Sequence, residues 1–258
     1  TYCLAKNIKA PYICKQIFDC YTVYLVSGNS YFSKHPTTPA TKVLSDVFKV
    51  ESSELNVHEK KCNQYSDQII CNSELSRNLF KKMYGDCNNK LFHSYINTSF
   101  EVKPIESISI SDNKIYDIII CCSNLNRLQK NMKLVIELFK DPLMNKYKKI
   151  IVGSNSNLFN TIPNTECRGL VTNIICKNLF KQSKITLLPS FFDANPNTLQ
   201  EANAVKCIPI ISKNIGGYEN FPPEMICSSL TTKEWLEKII FVLDNYDSLK
   251  DKDIIFPN

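Results

Sequence analysis

From about residue 115 onward, hydrophobic and polar positions alternate between two regimes. Ile115–Cys122 is a continuous apolar run, the pattern of a strand buried on both faces. Asn131–Lys140 then sets Met132, Val135, Ile136 and Phe139 at helical spacing. The pattern continues with a strand over Lys149–Val152 ending at Gly153, a helix over Asn173–Lys181 and a strand over Ile185–Leu188 stopped by Pro189. A helix over Asn197–Val205, a strand over Ile208–Ser212, a weak strand over Glu224–Ser228 and a helix over Thr232–Asn245 complete it. Such alternation predicts a parallel sheet with helices on both faces, whose ligand site lies at the carboxyl ends of the strands.

The first half is less regular. Tyr21–Val26 reads as a strand running into Ser27, Gly28, Asn29 and Ser30. Tyr31–Ala40, with Pro36 and Pro39, reads as a loop. Glu54–Tyr65 is expected to be helical, Gln68–Cys71 a short strand, and Glu74–Tyr84 a helix. The expected fold class is α/β, with two Rossmann-like domains over residues 1–110 and 111–258 and a boundary within Glu101–Asn113. The chain begins at Thr1, and its opening residues read as part of a helix. It is expected to be a segment of a longer polypeptide with a shortened first domain.

Composition narrows the class only a little. The 258 residues are 43% hydrophobic and 22% charged, with a formal net charge of +6. This is a globular composition, long enough to bury a core without staples. Lysine pairs at 60–61, 81–82 and 148–149 read as solvated surface, or as affinity for phosphate-bearing ligands or a weak contact with membrane head groups. The 12 cysteines include no Cys-x-x-Cys pair, and Cys62/Cys71 and Cys167/Cys176 do not match zinc spacing. Cys121 and Cys122 lie in an apolar run, where cysteine acts as a small hydrophobe. No signal peptide or long apolar span is visible, so a reducing cytoplasm is the default compartment. In that compartment the sequon at Asn97 has no meaning.

Three stretches carry candidate chemistry. Leu188–Ala202 runs from a strand through a polar loop into a helix that starts near Asn197 and Thr198, both good capping types. Asp193 in the loop and Glu201 in the second helical turn could hold hydroxyls at two ends of one polar ligand, with phosphate at the helix start. The same residues read equally well as a capped helix with an exposed glutamate. Ser123–Asn131 places Arg127 and Lys130 at the end of a central strand, where two cations could neutralise a diphosphate. Two cations near a helix N-terminus disfavour the helix itself, which argues for a functional reason. Gly216 and Gly217 follow a further strand and would let backbone approach a ligand, although glycine pairs also simply make turns.

In their order and spacing these stretches resemble the group 1, or family 4, glycosyltransferases of the GT-B fold. The resemblance rests on Pro189-Ser190, Asp193 through Asn197, Glu201-Ala202, Gly216-Gly217, Arg127 with Lys130-Asn131, and Val152-Gly153. It covers about 111–245; in the first half, Ser66–Ser73 is similar to the family's Ala-Asp-x-Val-Ile-x-x-Ser element, and the family's early strands find no counterpart. The variant wording resembles glycosyltransferases of amoebal giant viruses, which would put the chain in a host cytoplasm. The resemblance implies retaining, metal-independent transfer from a UDP- or GDP-sugar to a glycan, protein or lipid acceptor, with no further cofactor and no nucleic-acid partner. It further implies that Glu201 binds the ribose and that Asp193 sits near the transferred sugar. Asn195, Asn197 and Thr198 would donate to sugar and pyrophosphate, while Arg127 and Lys130 would hold and stabilise the leaving pyrophosphate. Leu170 and Val171 would meet the base, and Gly216 and Gly217 would flank the cleft.

Some residues depart from that pattern. The family separates its Arg and Lys by four residues, whereas only Leu128 and Gln129 intervene here. Asp193 stands where the family has Glu. No histidine occupies the family's position in the first domain; His35, His58 and His93 receive no role. These departures support a different class of reading, a non-catalytic nucleotide-sugar-binding remnant. An epimerase of the same fold is a further alternative. The absence of both glycine motifs argues against a Rossmann dehydrogenase or P-loop enzyme.

Overall fold

The computed structural model describes residues 2–5, 21–26, 60–87, 91–93 and 114–252. The chain forms two compact units, Thr1–Ile96 with Asp193–Asn195 and Pro257–Asn258, and Asn97–Phe192 with Pro196–Phe256. The expected boundary within Glu101–Asn113, the Tyr31–Ala40 loop, the turn at 27–30, residues 54–59 of the expected first helix, the Asn97 sequon, His35 and His58 lie outside the described residues.

In the first unit, strands β1 (Tyr2–Ala5), β2 (Tyr21–Val26), β3 (Gln68–Cys71) and β4 (Leu91–His93) form a parallel sheet in that order. The chain therefore opens in a strand and not in a helix. Tyr2 pairs with Tyr21 and Ala5 with Tyr24, so a short β-prone run finds its partner far along the chain, which periodicity within four residues cannot reveal. Helix α1 (Glu74–Tyr84) starts at Ser73, whose hydroxyl accepts the Ser76 N–H at 3.1 Å, and ends at Gly85, whose φ of 76° suits glycine. Asp67 accepts the Thr22 N–H at 2.7 Å while its own N–H donates to the Thr22 carbonyl, clamping β3 to the start of β2. His93 is half-buried and pairs with Cys71.

The second unit is a six-stranded parallel sheet: β5 (Tyr116–Asn124), β6 (Lys149–Ser154), β7 (Thr165–Gly169), β8 (Ser183–Leu188), β9 (Ile208–Ser212) and β10 (Ile226–Cys227). Their spatial order is β10-β9-β8-β5-β6-β7. The chain builds outward from β5 on one side, then returns to β8 and builds outward on the other. Helices α2 (Met132–Phe139), α3 (Asn173–Lys181), α4 (Asn197–Asn203), α5 (Thr232–Asp244) and α6 (Tyr246–Leu249) connect or follow the strands. Alternation along β5 sends Ile118 and Ile120 into a core with Val135 of α2 and Trp235 of α5, and Ile119 into a second core with Leu179 and Phe180 of α3. Helices thus cover both faces, and the α/β Rossmann-like reading holds.

Strand β7 has no counterpart in the hydrophobic pattern. Thr165, Glu166, Cys167, Arg168 and Gly169 carry little apolar signal because they form an edge, where pairing with β6 rather than burial fixes the backbone.

The amino edge of this sheet is held by charged groups. Lys114, just before β5, directs its ammonium to four carbonyls, those of Lys181, Ser183, Val205 and Lys206, at 2.8, 3.0, 3.4 and 3.5 Å. It thereby gathers the ends of α3 and α4, where a cation complements the helix dipole. Lys149 is fully buried, donating to the carbonyls of Met144 and Tyr147 at 2.8 and 2.7 Å. This lysine departs from the solvated surface expected of the pair at 148–149. Burial draws its ammonium down to about 8, against the attraction of Asp117.

Candidate functional site at the carboxyl edge of the six-stranded sheet

The sequence order reverses between β5 and β8, and their carboxyl ends are the switch point at which open α/β sheets bind ligands. After β5 the chain turns through Leu125 and Asn126 into a 3-10 turn at Leu128–Lys130, then passes Asn131, which is left-handed at φ 53°, into α2. The Lys130 N–H bonds the Arg127 carbonyl at 3.0 Å. Positions three apart superpose in a 3-10 turn, so the shortened Arg–Lys spacing keeps both cations on one turn. Arg127 is exposed, with its guanidinium 3.3 Å from the Gln129 side-chain oxygen, and Lys130 is half-buried.

The loop after β8 meets that turn. The Phe191 N–H donates to the Gln129 carbonyl at 2.9 Å, and Ser212 at the end of β9 donates its hydroxyl to the Ser190 carbonyl at 2.7 Å. Pro189 and Ser190 are buried, so Pro-Ser is the anchor from which the polar loop departs. Asp193 and Asn195 are half-buried in this loop and belong to the first unit. Helix α4 starts at Asn197, but the capping residue is Pro196 and no side chain caps the helix. Asn197 and Thr198 are therefore the first two helical residues, not caps. Proline fixes the backbone of the capping position without a side-chain oxygen, and leaves the Asn197 side chain exposed and Thr198 half-buried.

Glu201 lies in the second turn of α4, half-buried rather than exposed. Burial raises its carboxyl above the usual carboxylate range, with Lys177 of α3 pulling the other way. Leu170 is highly exposed and Val171 half-buried, between β7 and the start of α3. Gly216 and Gly217 are buried after β9, and Gly217, at φ 89°, begins a 3-10 turn over Tyr218–Asn220.

Gly153 has a role that its place at a strand end only hinted at. Its φ is 135°, and a Cβ there would lie 1.7 Å from the Cys122 carbonyl oxygen. Here β5 and β6 lose register between Cys121 and Asn124, and the glycine lets the bulged strand pass. Neutral short side chains then tie the two strand ends: Ser154 to the Ser123 carbonyl at 2.8 Å, and Asn155 to Asn124 at 3.0 Å. Among the described residues no cluster of His, Cys, Asp and Glu is arranged to hold a metal, and no helix is long and apolar enough to cross a membrane.

The two parallel α/β units are consistent with the GT-B fold. No protein-family model matches the chain, and no curated protein matches it in sequence. Among solved structures it is similar to Anabaena Alr3699/HepE in complex with UDP and glucose, with a TM-score of 0.67 at 14% identity, covering 96% of this chain and 70% of that one. The same protein is known in complex with UDP-glucose. Sucrose-phosphate synthase (tll1590) from Thermosynechococcus elongatus matches with a TM-score of 0.66 at 11% identity, over 93% of this chain and 62% of that one. TarM matches with a TM-score of 0.64 at 12% identity, over 97% of this chain and 49% of that one. At these identities the likeness concerns the fold, and the chain spans between about half and seven-tenths of these proteins.

Proposed function

We propose that the chain is the donor-binding part of a glycosyltransferase that transfers a sugar from a UDP- or GDP-sugar to a glycan, protein or lipid acceptor, with retention and without a metal. The observation that carries this reading is the meeting of two loops at the reversal between β5 and β8, where Phe191 bonds Gln129 within the Arg127–Lys130 turn. Residues 111–258 would hold the donor. Arg127 and Lys130 would neutralise the pyrophosphate and stabilise it as it leaves. Glu201, as a carboxylate, would accept from the ribose hydroxyls. Asp193 would sit near the transferred sugar, with Asn195, Asn197 and Thr198 donating to sugar and pyrophosphate. Leu170 and Val171 would meet the base, with Gly216 and Gly217 flanking the cleft. Support comes from the UDP and UDP-glucose bound by a protein of the same fold, and from the half-burial of Glu201 next to a lysine.

Titration calorimetry of the chain with UDP, GDP and their nucleosides, run beside a donor-hydrolysis assay, tests the proposal. Micromolar binding of a diphosphate with slow donor hydrolysis is the expected result. Binding without turnover would favour a non-catalytic nucleotide-sugar-binding remnant. Absence of binding by either diphosphate would overturn the reading.

A further inference from the structure

Two thiols lie side by side behind this site. The Cys121 sulfur on β5 is 3.2 Å from the Cys176 sulfur on α3, and both residues are half-buried. A disulfide needs about 2.05 Å between sulfurs, so closure asks for a shift of roughly 1 Å. The two thiols are chemically unequal. Their mutual hydrogen bond, together with burial, pushes the Cys121 thiol far up, while the same hydrogen bond draws Cys176 down against burial. A hydrogen bond between the two sulfurs lets one lose its proton while the other keeps it, so the pair can supply both an attacking and a resolving thiol. The Cys176 N–H bonds the Thr172 carbonyl at 2.9 Å, so Cys176 belongs to the first turn of α3, four residues after the Thr172 cap into which Leu170 and Val171 lead. Glu201 lies close enough that its charge acts on both thiols.

We propose that Cys121 and Cys176 form a reversible disulfide by exchange with a small-molecule disulfide such as oxidised glutathione, and that closing it weakens nucleotide binding beside Glu201. In the first step one of the two, as its thiolate, attacks a sulfur of the oxidant, forming a mixed disulfide and expelling one glutathione thiolate. The other then gives up its proton and attacks the first protein sulfur, and the second glutathione leaves. Two protein thiols are oxidised and one external disulfide is reduced to two thiols. The bond fixes the first turn of α3 to β5 and drags the segment that leads into it. A displacement of this size at the wall of a binding site is large compared with the tolerance of a positioned ligand. The effect on nucleotide affinity rests on the donor-site reading of Glu201; the disulfide itself does not.

The test is to incubate the full chain with oxidised glutathione, block remaining thiols and map the peptides, then measure UDP binding before and after reduction with dithiothreitol. The expected map joins the Cys121 and Cys176 peptides, dithiothreitol separates them, and UDP affinity rises about fivefold or more on reduction. Cys176→Ser and Cys121→Ser should each abolish both the cross-link and the redox dependence. Glutathione retained on either cysteine of the pair, bridges that avoid this pair, or thiols that stay open to alkylation would overturn the proposal. A cross-link that leaves UDP affinity unchanged would overturn its coupling to the site. A cross-link in a protein that binds UDP in neither state would instead count against the nucleotide reading, and the redox pair would stand.

Discussion

The two edges of the six-stranded sheet solve the same problem in opposite ways. Both must satisfy backbone groups where strands end and helices begin. The amino edge does so with charge: Lys114 on four carbonyls, Lys149 on two, and Lys184 paired with Asp117 at 2.8 Å. The carboxyl edge does so with short neutral side chains and glycine: Ser154, Asn155, Ser212 and Gly153. At the carboxyl edge these strand ends are tied by neutral groups, without a charged side chain. An edge closed by lysines has committed those charges to the fold.

Substitutions can break or sharpen this distinction. The largest effect is expected at Gly153, because the carboxyl edge depends on backbone shape. Gly153→Ala meets both a carbonyl oxygen and an unfavourable φ, and should cost about 3–5 kcal/mol in a denaturant melt. Next is Lys149, whose ammonium burial draws down to about 8 from the ordinary 10.5. Between those values the unfolded chain binds more protons, so stability rises with pH across that window. Compared with Lys149→Met, the wild type should gain on the order of 3 kcal/mol between pH 8 and 10.5 in melts run at stepped pH. Lys114→Met leaves carbonyls at two helix ends without their cation and should cost about 2–3 kcal/mol of stability, without changing affinity for UDP.

Carboxyl-edge charges should behave in reverse. Glu201→Gln is expected to lose about 1–3 kcal/mol of UDP binding in calorimetry. The same variant should melt higher than wild type at neutral pH, since burial disfavours the native carboxylate. The folded state binds the extra proton here, so the wild type should lose ground to Glu201→Gln as pH rises through the window above the ordinary carboxylate value. The smallest effect on stability is expected from Arg127→Ala, within about 0.5 kcal/mol, alongside weaker binding of UDP than of uridine relative to wild type. Unfolding by Arg127→Ala on the scale of Lys114→Met would erase the contrast between the edges.

Buried strands and amphipathic helices were legible in the sequence because burial leaves a period. Tyr21–Val26, Gln68–Cys71, Glu74–Tyr84 and Ile208–Ser212 come out with the expected bounds. Strands β1 and β7 were not legible, since short or polar segments take their conformation from distant partners. At the site, the order of Pro189-Ser190, Glu201 and Gly216-Gly217 after successive strands could be read, and with it the sheet edge. Three things depended on packing instead. The cap of α4 is Pro196 and not Asn197, Glu201 is half-buried rather than exposed, and Gly153 is dictated by the Cys122 carbonyl. The Cys121–Cys176 contact, 55 residues apart in sequence, left no local signal at all.

Lys114 also says something about the order in which this unit assembles. Its four carbonyls lie 67, 69, 91 and 92 residues along the chain. The ammonium can meet them together once β5, β8 and β9 are aligned, after the closure entropy of loops that long has been overcome. The contact is thus a late one, absent from the folding nucleus. The loss caused by Lys114→Met should then appear in stopped-flow traces as faster unfolding with refolding little changed, which makes this lysine a latch that governs how long the finished unit stays closed.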